Sequence, residues 1–161
     1  MAATDSYNDS SSGADAGELQ ARLDEEVSRA ERMGTALSCL LVSVDAEALR
    51  EQQAAELCEQ AIAYMAEALR RQLRRFDRVG RLSEAELLVL LPGADGTHAE
   101  VVARRALARL RAVKLDTAGG RHPIGVAIGL GSWSAGQSAA QLLDLTRLAT
   151  GGRREPDITW A

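Results

Sequence analysis

The sequence predicts a single α/β domain, and three observations lead there. Apolar residues recur at three-to-four spacing in four separate stretches, the mark of amphipathic helices. Short apolar runs of strand character stand between those stretches. The chain has 161 residues, 46% hydrophobic and 26% charged, a profile suited to one compact domain. A chain of this size buries about two thirds of its unfolded surface, so it needs neither a metal nor a disulfide to hold together.

Residues 1–16 are small, polar and acidic, and are expected to remain a disordered tail, leaving 17–161 as the domain. From Gly17 to Met33, the positions Leu19, Leu23, Val27 and Ala30 fall on one helical face, and Gly34 supplies a left-handed cap. The run 36–44 (ALSCLLVSV) reads as a buried strand closed by Asp45. Residues 46–75 form a long helical stretch marked by Leu49, Leu57, Ile62, Met65, Leu69 and Leu73, with a possible break at 51–55. RVGRL and ELLVLLP, on either side of Ser83-Glu84-Ala85, form a β-hairpin that Pro92-Gly93 ends. Thr97 to Val113 is helical, with Val101, Val102, Ala106 and Leu110 turned inward. A loop over 116–122 leads to a strand over 123–132, a helix from Ser138 to Ala149 stopped by Gly151-Gly152, and an edge strand at 157–160. The resulting order is α-β-α-β-β-α-β-α-β, with no internal repeat.

Composition excludes several classes. No apolar run approaches the eighteen or so residues of a membrane span, so membrane insertion is not expected. The amino terminus lacks the basic start and apolar core of a secretory signal, which points to the cytoplasm. Cys39 and Cys58 lie in apolar or helical stretches, and with only His98 and His122 beside them they cannot form a zinc cluster of ordinary spacing; buried, inert thiols are expected. A net charge of −4 argues against a general nucleic-acid coat, so no DNA partner is expected. Every basic residue is arginine except Lys114. Trp133 is expected to be partly buried, and Glu84 and Glu86 to be solvated hairpin charges.

The element order, the hairpin on an acidic turn and several local motifs resemble the GGDEF domain, the diguanylate cyclase fold. The matching segments are Arg81-Leu82-Ser83-Glu84-Ala85-Glu86-Leu87, then Leu88 to Gly93, Ala127 to Gly131, and Ser138 to Leu143. The resemblance spans roughly residues 18 to 160. It implies a nucleotide-cyclase-like α/β fold: a central five-stranded, mostly antiparallel sheet flanked by helices on both faces.

Cyclase chemistry condenses two GTP molecules by phosphoryl transfer and needs divalent metals held by carboxylates. In the family those carboxylates stand at the positions of Ser43 and Ala85, and the paired glycines that admit the triphosphate stand at Ser83 and Glu84. The family's guanine readers fall in REQQAAELCEQ, which has neither Asn nor Asp. Asp45 and Glu86 remain, at positions that are not metal ligands in the family. The resemblance therefore implies a degenerate domain with no catalytic residues, no metal and no cofactor.

A second family site binds the product, cyclic di-GMP, through R-x-x-D five residues before the hairpin motif. Arg74-Arg75-Phe76-Asp77 stands at that offset, with Arg78 following, and Arg105 occupies the place of an arginine that often completes the site from a neighbouring subunit. A guanidinium forks onto a guanine edge or a phosphate, and a carboxylate accepts from guanine N1 and N2. The expectation is thus a non-catalytic cyclic di-GMP receptor using Arg74, Asp77, Arg78 and Arg105, signalling through a homodimer or a protein partner. The alternative is a ligand-free scaffold acting as a protein-interaction module. What separates them is whether Arg74 and Asp77 point outward together.

Overall fold

A computed structural model describes residues 11–45, 55–117, 120–123, 125–150 and 158–160. Its elements are α1 (Ser11–Met33), β1 (Leu37–Val44), α2 (Ala55–Arg70), β2 (Arg78–Ser83), β3 (Glu86–Pro92), α3 (Gly96–Arg111), β4 (Lys114–Thr117), β5 (Gly120–Pro123), β6 (Val126–Ser132), α4 (Ala139–Thr150) and β7 (Ile158–Trp160). Five strands form one sheet in the order β2-β3-β1-β6-β7. Every pairing in it is antiparallel except β6 with β7. The expected five-stranded, mostly antiparallel sheet is therefore the observed one.

Alternation along the central strands explains the layering. Successive side chains of a strand point to opposite faces. On β1, Leu40, Val42 and Val44 enter one core together with Leu87, Val89 and Leu91 of β3 and the buried faces of α2 and α3. Leu37, Cys39 and Leu41 enter the other with Leu88 and Leu90, and there Leu19, Leu23, Val27 and Ala30 of α1 meet Ala139, Leu142 and Leu143 of α4. Burial on both faces is why these strands read as continuous apolar runs rather than as alternating ones.

The helix ends follow their local chemistry. Gly34 adopts φ 65°, and Thr35 N donates to Ala30 O at 3.1 Å, the left-handed stop expected there. Asp95 caps α3 by accepting from His98 N at 2.9 Å. Ser138 and Gln141 form a reciprocal capping box at α4, at 3.1 and 2.9 Å.

Several expectations are corrected. The first helix begins at Ser11 rather than at Gly17; once Leu19 onward is packed, adding upstream residues needs no new nucleation. Residues 1–10 lie outside the described residues. So do 46–54, where the break in the long helical stretch was placed, and Leu57 lies outside the described side chains. The presumed loop 116–122 holds part of a separate two-stranded hairpin, β4 with β5, whose polar sequence carries no strand period. The strand expected from 123 starts at Val126. Val101 faces outward, and Ala99, Ala103, Ala106, Leu107 and Leu110 make the inner stripe of α3. Val102 packs part-buried at the margin of that core, as expected, and the small alanines permit the close approach of α3 to the sheet.

Two glycines on β6 show how tightly α4 lies on the sheet. A Cβ at Gly131 would collide with Thr146 Oγ1 and come within 3.2 Å of Leu142 Cδ1. Thr146 cannot retreat, because its hydroxyl donates to Leu142 O at 2.6 Å and rests 3.4 Å from Cys39 Sγ. Gly131→Ala is expected to cost about 1–3 kcal/mol of stability, seen as a lowered melting temperature. An unchanged melt would show that α4 lifts freely from the sheet.

Candidate functional site

The segment between α2 and β2 carries the R-x-x-D residues, and local hydrogen bonds shape it. After Arg70 the helix unwinds through Gln72 N to Leu69 O at 3.0 Å and Leu73 N to Arg70 O at 3.3 Å. Residues 74–77 then close on themselves. Asp77 N donates to Arg74 O at 3.1 Å, and Arg74 N donates to Asp77 Oδ2 at 2.8 Å. An aspartate accepting a nearby backbone N–H in this way is ordinary turn chemistry.

The side chains repeat the pairing. Arg74 forks onto Asp77, Nε to Oδ2 at 3.2 Å and Nη2 to Oδ1 at 3.1 Å, and Nη2 also donates to Pro92 O at 3.1 Å. The guanidinium lies 5.2 Å from the centroid of the Phe76 ring, within cation–π range. The Asp77 side chain is only 1% exposed, whereas that of Arg74 is 49% exposed. Arg74 Nη1 has no hydrogen-bond partner among the described residues.

Arg74 and Asp77 therefore do not point outward together. The carboxylate faces in and braces the arginine, which keeps one edge toward solvent. Arg78 is exposed and folds back, Nη1 donating to Arg75 O and Asp77 O, both at 3.1 Å. Arg105 is exposed on α3, nine residues beyond Gly96, or roughly 13 Å along the helix axis. Since α3 starts just after Pro92, which Arg74 contacts, one copy gathers Arg74, Asp77 and Arg78 and leaves Arg105 apart. Phe76 and the Pro92 carbonyl were not anticipated; a lone aromatic in an arginine-rich turn was the only signal.

The hairpin tip is built differently from a phosphate-binding loop. Ser43 stands opposite Glu86 in the β1–β3 register, and Val44 N donates to Ala85 O at 2.9 Å. Arg81 spans the turn, Nε donating to Ser83 O at 3.1 Å and Nη2 to Glu84 O at 2.8 Å. It also forks onto Glu59 of α2 at 2.7 and 2.6 Å. Glu86, expected as a solvated charge, is instead part-buried; it accepts from Ser83 Oγ at 2.7 Å and from Arg147 of α4 at 3.3 Å.

The cyclase chemistry expected of the family would draw on a divalent metal at this tip, and the groups near it are few. Ser43 and Ala85 offer no carboxylate, and Glu86 is engaged by Arg147. Among the described residues no three His, Cys, Asp or Glu side chains converge to hold an ion.

Both cysteines are buried, as expected. Burial pushes the Cys39 thiol up to about 11, against smaller opposing effects from Thr146 and the Gly131 backbone, so it is protonated at neutral pH. Trp133 is partly buried, its Nε1 donating to Gln137 O at 2.8 Å. Trp160, Arg153 and Arg154 lie outside the described side chains.

The profile of the family "Diguanylate cyclase, GGDEF domain" matches residues 17–150, and the chain belongs to that family. Among solved structures it is similar to the GGDEF domain of DgcB from Caulobacter crescentus in complex with c-di-GMP. That match has TM-score 0.80 and 17% identity, over 90% of this chain and 89% of that one. It is also similar to the active GGEEF domain of a diguanylate cyclase from Vibrio cholerae, with TM-score 0.78 and 18% identity over 90% and 96%. A third is the diguanylate cyclase SiaD in complex with its activator SiaC from Pseudomonas aeruginosa, with TM-score 0.76 and 23% identity; it covers 97% of this chain and 62% of that one. These identities speak to fold. No curated protein matches the chain in sequence. No helix among the described residues is long and apolar enough to cross a membrane.

The Glu59–Arg81 fork yields a pH dependence. Hydrogen bonding from Arg81 holds the Glu59 carboxyl below its ordinary value of 4.5, and the same bond raises Arg81. A carboxyl lowered in the folded state adds stability above its unfolded pKa and loses that contribution as pH falls through the folded one. Glu59→Gln is therefore expected to melt slightly below wild type at neutral pH, with the gap closing in acid below the glutamate range and shrinking in high salt. A gap independent of pH would show that packing, not charge, is what the substitution removed.

Proposed function

We propose that this GGDEF domain is a non-catalytic receptor for cyclic di-GMP. The observation that carries the reading is the preset state of Arg74: two donors fixed by buried Asp77, one face on Phe76, and one edge open to solvent. A guanidinium immobilised this way loses little freedom when it forks onto a guanine edge or a phosphate. Asp77 then acts by positioning Arg74, while Arg78 gives up weak contacts to backbone carbonyls and Arg105 comes from a second copy. The complex of the DgcB domain with c-di-GMP supports the choice of ligand. Assembly would follow ligand only if the bound form prefers the dimer.

The absence of catalysis rests on the hairpin tip. Its metal-ligand positions are Ser43 and Ala85, and its turn carbonyls are taken by Arg81. Incubation with GTP and magnesium is expected to yield no cyclic di-GMP; detectable product would overturn this half of the proposal.

Two observations favour the alternative, a scaffold without ligand. Arg74 and Asp77 do not point outward together, since the Asp77 side chain is buried. Both Asp77 oxygens are already satisfied inside the chain. Calorimetric titration of cyclic di-GMP decides between the two. Micromolar binding that vanishes in Arg74→Ala and weakens in Asp77→Asn supports the receptor. Absence of heat in the wild type leaves the scaffold, whose partner would then be sought by direct capture.

A further inference from the structure

The surface beside the Arg74 turn holds a second feature that the receptor reading does not use. A groove between α2 and α3 encloses about 370 Å³ and is lined chiefly by Tyr64, Glu67, Ala68, Arg71, Arg109 and Val113. This is the lower end of the size range of small-molecule sites, about 300–1,000 Å³. None of Arg74, Asp77, Arg78 or Arg105 lines it.

Its floor is apolar, since Ala68 and Val113 pack against the core beneath α2 and α3. Above the floor, Tyr64 is 59% exposed and its hydroxyl makes no hydrogen bond among the described residues. An aromatic that the core does not need, set over apolar floor, is a ready stacking surface. Arg71 approaches Glu67 only to 3.8 Å, beyond hydrogen-bond distance, and Glu67 is shared with Arg70 at 3.8 Å. Arg109 makes no ion pair among the described residues; the one carboxylate of α3, Glu100, is nine residues away and pairs with Arg104 at 2.8 Å.

The lining thus sets two guanidinium groups against one carboxylate. The surroundings reinforce that sign: residues 70–78 contain five arginines and one aspartate, in a chain whose net charge is −4. The positive field is local to this face rather than general. Guanidinium groups with open forks match phosphate oxygens, and Glu67 can accept from a ring amino group or a sugar hydroxyl.

We propose that the α2–α3 groove is a binding site for a planar ring compound carrying a single phosphate, the class of the nucleoside monophosphates. The ring stacks on Tyr64 over Ala68 and Val113, and the phosphate bridges Arg71 and Arg109. The site is independent of the cyclic di-GMP reading.

The test is a titration of the ¹⁵N-labelled full chain, followed by amide shifts, with GMP, guanosine and inorganic phosphate as separate probes. Saturable shifts are expected with GMP at 64–71 and 109–113, and much weaker ones with either half alone. Arg109→Ala and Tyr64→Ala should each weaken GMP binding by about tenfold or more, while Tyr64→Phe and Arg74→Ala leave it unchanged. Tyr64 and Arg109 are exposed, so the melting temperatures of their variants should stay near wild type and certify the fold, whereas Arg74→Ala leaves buried Asp77 without its partner and is expected to melt lower. No shifts at millimolar GMP would overturn the proposal. So would equal binding of inorganic phosphate alone, or binding lost in Arg74→Ala and retained in Arg109→Ala.

Discussion

Everything in this domain depends on β1 being buried on both faces. It pairs with β3 on one side and β6 on the other, and its alternating side chains feed two separate cores. A one-residue slip of this strand would send every side chain to the wrong core, so its register is strongly specified. That register places Ser43 against Glu86 and Ala127, setting the hairpin tip beside the end of β1. It also sends the start of β2, and with it the Arg74 turn, to the opposite end of the β2–β3 ladder.

The two ends of that ladder have been put to different uses. At the tip, Arg81 ties the turn to Glu59 of α2 on one face of the sheet, and Glu86 ties it to Arg147 of α4 on the other. The tip is thereby a cross-brace between layers. Exposed ion pairs contribute little individually, so the brace holds a conformation more than it adds stability. At the other end, the charged groups are arranged asymmetrically. Asp77 is buried and spent on Arg74, whereas Arg74, Arg78 and Arg109 keep exposed guanidinium groups.

That asymmetry links fold to function. A buried carboxylate that has lost its arginine would be an unpaired charge at high cost, so Asp77 and Arg74 must be kept or lost together. The same pair that closes the α2–β2 turn also aims a cation at solvent, next to a groove whose own arginines lack strong partners. Arg74 thus has a structural role in closing the turn, whereas Arg109 carries no structural burden visible in the described residues.

Much of the fold was legible in the sequence because burial writes itself as periodicity. Leu19, Leu23, Val27 and Ala30 at helical spacing, the unbroken apolar runs of β1 and β3, and Gly34 as a stop signal all follow from local rules, and membership of the GGDEF family follows from the motifs they frame. The resemblance to the family grouped Arg74, Asp77 and Arg78 as one candidate site, with Arg74 read as the end of a helix rather than as part of a turn. It did not reveal which way Asp77 faces, since residues three apart share a face only while the helix lasts, and α2 ends at Arg70. The polar β4–β5 hairpin and the inward alanines of α3 were hidden for a related reason: neither shows a strong hydrophobic pattern. The Glu59–Arg81 and Glu86–Arg147 pairs, 22 and 61 residues apart, exist only because the sheet carries α2 and α4 to the same hairpin. Residue identity along the chain determined which charged groups the turn and the hairpin tip carry, and only tertiary packing decided which of them are spent inside the molecule and which face solvent.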